Sequence, residues 1–487
     1  MNDYKVRDAS AQSQLMLIVS SSVFMFSLYY SMLNISLPTI AGYFGVPIGV
    51  ASKLPLVYLL IATSTMLGFG KLGDMKGHKK IFIAGLAVFL AGAALCSVSA
   101  GVEPMIIFRA FQSLGEAMFA NSGIAIITTF LPDDRKGRGL GFIALSQGLG
   151  LMLGNVAGGL INSYFKWRGI FLVNMPLCLL TIWAALRYLP AEQPKSADKS
   201  FDYPGAILVF IFISTLIYAI NTAGRWPASA GAAAICSAVS AVALVLFVLR
   251  EKRAPFPLLD LGLFRNRDFS MASLSAFFVV SMLIGMSFIA PFLMQFVREL
   301  PVMTTGVFLM MPSFMMLVLA PMAGRFADRH GSRALCCAGA SLESAAFVMC
   351  SYINNSTGYI YMAACMVIMG IGAGMFVAPN SRLIMSHVPN EKQGVASGAY
   401  KVFVSVGSAL GIAVLPIIIM NRVRVEAAIR NVALAEARAR PELLYPGFNA
   451  AFLFAAAVSL AALVCAVLAR DRSDNAAKGA FCDKLGP

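Results

Sequence analysis

Gly70-Lys71-Leu72-Gly73-Asp74-Met75-Lys76-Gly77-His78-Lys79-Lys80 separates one unbroken apolar run from the next. In the second half of the chain, Gly324-Arg325-Phe326-Ala327-Asp328-Arg329-His330-Gly331-Ser332-Arg333 does the same. Each stretch sets an aspartate four residues after its first glycine, a second glycine three residues later, and a base two residues beyond that. One such loop arises by chance. Two at corresponding places between apolar runs indicate two homologous halves.

The runs on either side of these loops are about twenty residues long, which is the length of a helix crossing a bilayer. Composition agrees. Of 487 residues, 59% are hydrophobic and only 13% charged, and the mean hydropathy is +0.78. A soluble domain of ordinary composition is about 45–50% apolar and about 25% charged. In lipid the backbone must satisfy its own polar groups, so only helices or closed barrels span. The unbroken runs exclude the short alternating segments of a barrel. Fourteen spans are expected, at 15–37, 54–72, 81–100, 105–130, 139–162, 170–189, 205–220, 227–249, 269–297, 304–326, 334–353, 359–385, 395–420 and 447–468. The expected fold is an all-α integral membrane protein. Residues 1–200 form a six-helix bundle, 201–250 an inserted helix pair, and 251–487 a second six-helix bundle.

The net charge is +15, from 38 Lys and Arg against 23 Asp and Glu. The bases cluster in short loops, which is the pattern of membrane orientation rather than of nucleic-acid binding. Placing the N-terminus in the cytoplasm and alternating puts most Lys and Arg inside. Both termini and both Gly-Asp-Gly loops are then cytoplasmic, in a multi-pass protein of a bacterial inner membrane. The exception is 421–446, with Arg422, Arg424, Arg430, Arg438 and Arg440 outside. Its Val425, Ile429 and Val432 recur at helical spacing, as in a short amphipathic element on the outer surface. Trp167 and Trp226 fall at outer span ends, where an aromatic belt is expected. The nine cysteines are scattered without a CxxC pair and read as free thiols. The first apolar run reads as a span, not as a cleaved signal peptide.

With the motifs in view, the chain resembles the fourteen-helix drug:proton antiporter branch of the major facilitator superfamily. The 70–80 loop matches that family's signature loop. Arg109-Ala110-Phe111-Gln112-Ser113-Leu114-Gly115 is similar to its fourth-helix motif, and Gly150 to Gly159 to its fifth-helix antiporter motif. Trp167 to Pro176, Phe201 to Gly205 and Pro257 to Arg265 resemble segments of the fourteen-helix branch. The resemblance implies alternating access and, commonly, export of lipophilic compounds against protons. The sequence departs from the pattern in four places. Tyr29 stands where a first-helix acid is usual, Asn155 where the fifth-helix proline is usual, and Val404-Ser405 where Arg-Gln is usual in the thirteenth helix. Glu116 is an added acid.

Charges inside a span cost about 2.5–3.5 kcal/mol on insertion scales, so those retained are paired, solvated or useful. Arg109, Glu116 and Glu343 are the candidates for proton coupling. Arg109, Gln112 and Glu116 share one helix face. Burial favours the protonated form of Glu116 and the Arg109 charge the ionised form, which makes it the first choice of carboxylate, with Glu343 in reserve. Tyr30, Asn34, Gln112, Asn155, Lys401 and Ser405 are the expected lining of a substrate cavity. Lys401 also reaches the interface by snorkelling in the plainer reading. The first helix further offers Ser27 and Ser31. Asp74, Gly77, Lys79, Lys80, Asp328, Arg329 and Arg333 are the expected gating groups. In the resemblance, Asp74 latches onto the N-terminus of the thirteenth helix, where the helix dipole favours an anion. Gly150, Gly154 and Gly158 are expected to form a smooth seam between the halves.

No metal or cofactor is expected. His78, His330 and His387 lack ligand spacing, and no P-loop is present. A membrane enzyme is therefore disfavoured. The expected partners are a small-molecule substrate, protons and membrane lipid, with no nucleic acid, and the chain is expected to act as a monomer. The leading reading is proton-coupled efflux of amphipathic drugs or toxic compounds. The alternative is export of an endogenous, possibly anionic, metabolite or lipid; uptake stays open.

Overall fold

The computed structural model describes residues 8–190, 202–223, 230–253, 261–388, 393–433, 436 and 440–470. Every long element among them is an α-helix: α1 (Ala9–Tyr43), the single turn α2 (Ile48–Ala51), α3 (Lys53–Lys76), α4 (His78–Ser97), α5 (Val102–Phe130), α6 (Asp133–Tyr188), α7 (Tyr203–Ala223) and α8 (Ala230–Arg253). The second part holds α9 (Arg267–Phe292), α10 (Val302–His330), α11 (Arg333–Cys350), α12 (Tyr359–Ser386), α13 (Gln393–Ile429) and α14 (Pro441–Leu468). A π-turn, Leu293–Val297, follows α9.

Eleven helices among the described residues are long and apolar enough to cross a membrane, against fourteen spans expected. The difference has three local causes. The spans expected at 139–162 and 170–189 are two helices that follow each other without a loop within α6, separated at Lys166, whose φ of 56° is not helical. The apolar part of α7, Pro204–Ile220, is short. In α5, Arg109, Gln112, Glu116 and Asn121 dilute the apolar run.

The helices pack in a similar order in the first and second parts of the chain. Among α1 to α6, α1 lies along α6, α4 on α5 and on α6, and α3 on α5. Among α9 to α14, α9 lies along α13, α11 on α12 and on α14, and α10 on α12. α7 and α8 pack on each other, with α7 also against α3 and α13. Lipid gives helices no hydrophobic reason to associate, so close backbone approach and interhelical hydrogen bonds hold them together. On α6, a side chain at Gly154 would lie 2.8 Å from the Ser31 Cβ, and one at Gly158 2.7 Å from the Met32 Cα. Gly411 of α13 plays the matching part against Ser281 of α9.

This corrects the expected role of the α6 glycines. Gly150, Gly154 and Gly158 pack on α1 within the N-terminal set, and Ser27 and Ser31 sit in that contact rather than along a cavity. The surface of α6 that meets α10 is offset from this ridge and carries Gly148, Asn155 and Gly159. The 421–446 segment also differs from expectation. α13 runs through to Ile429 as one helix, with Glu426 tied to Arg422 at 3.1 Å and Arg430 at 4.0 Å, so Arg422, Arg424, Val425 and Ile429 belong to that helix. Trp167 is 1% exposed instead of sitting in a belt, packed on Tyr43, Phe44 and Phe171 with the Arg168 guanidinium 4.2 Å above its ring. Trp226 lies outside the described residues.

Candidate functional site

The two Gly-Asp-Gly loops fold alike. Gly77 ends α3 with φ 94° and Gly331 ends α10 with φ 90°, the left-handed region where a side chain is strained. The base that follows each glycine by two residues reaches the last turn of the final helix in its own set. Lys79 donates to the Leu189 carbonyl (2.5 Å) and the Leu186 carbonyl (3.3 Å). Arg333 donates to the Val467 carbonyl (2.5 Å). Both satisfy terminal carbonyls that a helix leaves unpaired, at its negative end. Lys80 and Arg329 are exposed.

The aspartates of the two loops have different partners. Asp74, 56% exposed at its side chain, meets His78 Nε2 at 3.2 Å. Asp328 pairs with Arg382 of α12 at 2.9 Å. Both partners belong to the aspartate's own helix set. The helix expected to receive Asp74 begins at Gln393, next to residues 389–392, which lie outside the described ones.

Two to three turns into α5 sits a buried polar cluster. Arg109 is 1% exposed. Its Nη1 donates to the Tyr29 hydroxyl of α1 at 2.9 Å and to Gln112 Oε1 at 2.7 Å, and the Tyr29 hydroxyl donates to the same Gln112 oxygen at 2.8 Å. The Tyr58 ring of α3 covers the guanidinium at 3.9 Å, a cation–π contact strengthened by burial. Three helices thus converge on one cation. Gly92 of α4 makes the approach possible, since a Cβ there would lie 2.6 Å from that of Gln112. Tyr29 is fixed edge-on by Phe89 and Phe171, with ring centroids at 5.4 and 5.8 Å. The phenol therefore stands as Arg109's partner at the position where the resemblance places an acid. Arg109 Nε, Gln112 Nε2 and the Tyr58 hydroxyl, all buried, make no hydrogen bond.

Glu116, half-buried one turn further along α5, is close enough to act electrostatically on Tyr30 and Tyr58. Tyr30 in turn lies one turn before Asn34 on α1, its ring centroid 6.1 Å from that of Phe26. So the structure gathers Arg109, Gln112, Glu116, Tyr30 and Asn34 into one region, with Tyr29 and Tyr58. Glu343 is elsewhere. It is fully buried in α11, where a side chain at Gly372 of α12 would lie 2.9 Å from its backbone nitrogen. Neither of its carboxyl oxygens has a hydrogen-bond partner. On α13, Ser405 is half-buried and Ser408 bonds back to the Val404 carbonyl. The side chain of Lys401 lies outside the described residues.

Asn155 is not a free cavity group. Its amide donates to the Leu309 carbonyl of α10 at 2.8 Å and to the Leu151 carbonyl at 3.2 Å. It joins the two helix sets, on the side opposite the Gly77 and Gly331 loops. A second tie lies on that side. Gln295, in the π-turn, donates to the Ile35 carbonyl of α1 at 2.7 Å and accepts from Thr39 at 3.4 Å. Asn162 of α6 donates to Thr39 at 2.8 Å. Sequence reasoning missed Gln295 and Thr39. Gln295 left a signal, as a lone amide in an apolar run just after Pro291.

A family model described as Major Facilitator Superfamily matches residues 19–412, most of the chain. The chain belongs to that superfamily. It is a transporter and not an enzyme. Its relatives point the same way. It is 30% identical to the riboflavin transporter RibZ of Clostridioides difficile, over 82% of this chain and 86% of that one. It is 28% identical to the tetracenomycin C resistance and export protein of Streptomyces glaucescens, over 75% of this chain and 68% of the other. In fold it is similar to a bacterial homologue of the lysosomal transporter Spinster, with TM-score 0.71, 13% identity, and coverage of 95% and 98%.

Proposed function

We propose that this superfamily member exports small amphipathic compounds in exchange for protons by alternating access. The observation that carries the reading is the cluster of Arg109, Tyr29 and Gln112 under the Tyr58 ring, with Glu116 one turn away. An antiporter needs a group that is protonated facing one side and ionised facing the other. Arg109 is fixed, hydrogen-bonded to neutral oxygens, so its charge biases neighbours without moving. Glu116 is half-buried and close to two phenols, Tyr30 and Tyr58, the second without a hydrogen-bond partner. Ionised, it is stabilised by Arg109 and accepts from the donors that now lack partners. Protonated, it leaves the region neutral for substrate.

In this reading the Gly77 and Gly331 loops and both termini face the cytoplasm of a bacterial inner membrane, and a single chain is the working unit. The ties at Asn155 and Gln295 then close the outer side, and Asp74 meets His78 of its own helix set. The conformation is inward-facing.

Proteoliposomes with an imposed pH gradient test the proposal. Glu116→Gln should abolish gradient-driven transport while preserving substrate binding, and binding should lose its dependence on pH. Retention of coupling in this variant, with loss in Glu343→Gln, would reassign the proton to α11. Loss in neither would remove proton antiport altogether.

A second reading, export of an endogenous metabolite, is favoured by the 30% identity to a protein named as a riboflavin transporter. The buried Arg109 does not offer its charge to an anion, so within this reading a neutral aromatic metabolite fits better than an anionic one. Riboflavin and a lipophilic cation, compared as substrates in the same vesicles, separate the two.

A further inference from the structure

A cavity of about 450 Å³ opens far from Arg109, on the side where Asn155 and Gln295 join the two helix sets. Gly45, with φ 63°, turns the chain after α1 and brings Val46 and Ile48 to one wall. The other wall comes from the C-terminal set: Phe292 and Phe296 at the π-turn, and Phe448 of α14. Phe292 and Phe448 are buried, whereas Phe296 is 40% exposed at the rim.

We propose that this cavity is a binding site for a neutral aromatic compound, and that filling it holds the outer seam closed. The volume lies within the range of about 300–1,000 Å³ typical of small-molecule sites. No ionisable side chain lines it, and a buried charge without a partner is strongly disfavoured, so the ligand is uncharged. Phe296, 40% exposed at the rim, offers its ring to a flat aromatic guest, backed by the buried rings of Phe292 and Phe448. The coupling follows from who builds the walls. The π-turn that supplies Phe296 also supplies Gln295, which clamps Ile35. One wall belongs to each helix set, so the cavity exists only while the seam is shut. A ligand that binds one conformation alone shifts the population towards it. Such compounds therefore inhibit transport without competing at the Arg109 region. This last step rests on the alternating-access reading above; the binding itself does not.

Benzophenone, neutral and photoreactive, serves as the probe, with the purified full chain in lipid nanodiscs and crosslinks mapped by mass spectrometry. The expected result is saturable labelling concentrated on 292–297 and 444–448. Ile48→Trp fills the space and should cut that labelling by about tenfold or more, a loss typical of a few missing apolar contacts. Phe296→Asp, at the exposed rim, is the second variant and should do the same. Gln295→Ala, which loosens the seam, should also reduce it, and benzophenone should lower the maximal transport rate without changing the apparent substrate affinity. Labelling spread evenly over lipid-facing helices, or unchanged in both pocket variants, overturns the site. Labelling that ignores Gln295→Ala overturns its link to the seam. Absence of proton-driven transport alongside intact labelling sinks the export reading alone.

Discussion

Arg109 shows how a single buried charge is held in a membrane. Its partners are the neutral oxygens of Tyr29 and Gln112 and the face of Tyr58. Hydrogen bonds to charged groups contribute about 1.5–3 kcal/mol in water-soluble proteins, but polar contacts between membrane helices average about 0.6 kcal/mol. Tyr29→Phe should therefore lower unfolding stability by about 1 kcal/mol, since the hydroxyl that accepts from Arg109 and donates to Gln112 is lost and the ring packing stays. Arg109→Lys should cost more, because the ammonium loses the planar fork and the stacking on Tyr58. Thermal unfolding of the two purified variants gives the order, and a smaller loss in Arg109→Lys would contradict this account. Arg109 was legible in the sequence because a charge in an apolar run stands out. Tyr29 was legible only as a departure from a pattern. Tyr58 was not legible, since an aromatic residue in such a run looks like ordinary packing.

Helices are placed by features of two kinds, which the sequence reveals unequally. The first is the pair of basic caps, Lys79 on the end of α6 and Arg333 on the end of α14. Each is partly exposed, so each contributes about 0.3–1 kcal/mol. Lys79→Ala and Arg333→Ala should each destabilise by that amount. The double variant should show the sum, because the sites share no partner. Denaturant titration of all three variants tests this, and strong non-additivity would tie the caps together. The second is the stripe of small residues. Gly154→Ala should cost about 1–3 kcal/mol, since the new methyl overpacks against α1. Crosslinking between α1 and α6 should fall with it. The spacing of Gly150, Gly154 and Gly158 told that a helix would pack there. Which helix it would be was not in the spacing: α1 and α10 both lie against α6, on different faces.

At the scale of the whole molecule, the two helix sets are joined on one side by a few polar ties between largely apolar surfaces. Removing the ties at Asn155 and Gln295 should shift the population of conformations by about 1 kcal/mol, roughly five- to tenfold, at about 0.6 kcal/mol per tie. In Asn155→Ala/Gln295→Ala, a cysteine introduced at the fully buried Ile35 should gain reactivity to a membrane-impermeant thiol reagent. One at Phe142, 40% exposed on α6 towards the opposite side, should lose it. Unchanged reactivity at both positions would mean that these ties do not set the conformation.

The sequence by itself determined the class, the repeat and the list of intramembrane charges. Apolar runs of bilayer length leave no fold but helices, and two copies of one loop leave few alternatives to two related sets. These properties are local or periodic, so one dimension suffices to read them. The tertiary structure decided the contacts between residues far apart in the chain. It placed Tyr29 and Tyr58 on Arg109, sent the glycine stripe of α6 to α1, and spent Asn155 on a carbonyl of α10. It also left Glu343 in the interior of the C-terminal set, with neither carboxyl oxygen hydrogen-bonded. The physical reason is the same in each case. A polar group in a span needs a partner, and the sequence states the need, but only the packing of helices decides who meets it.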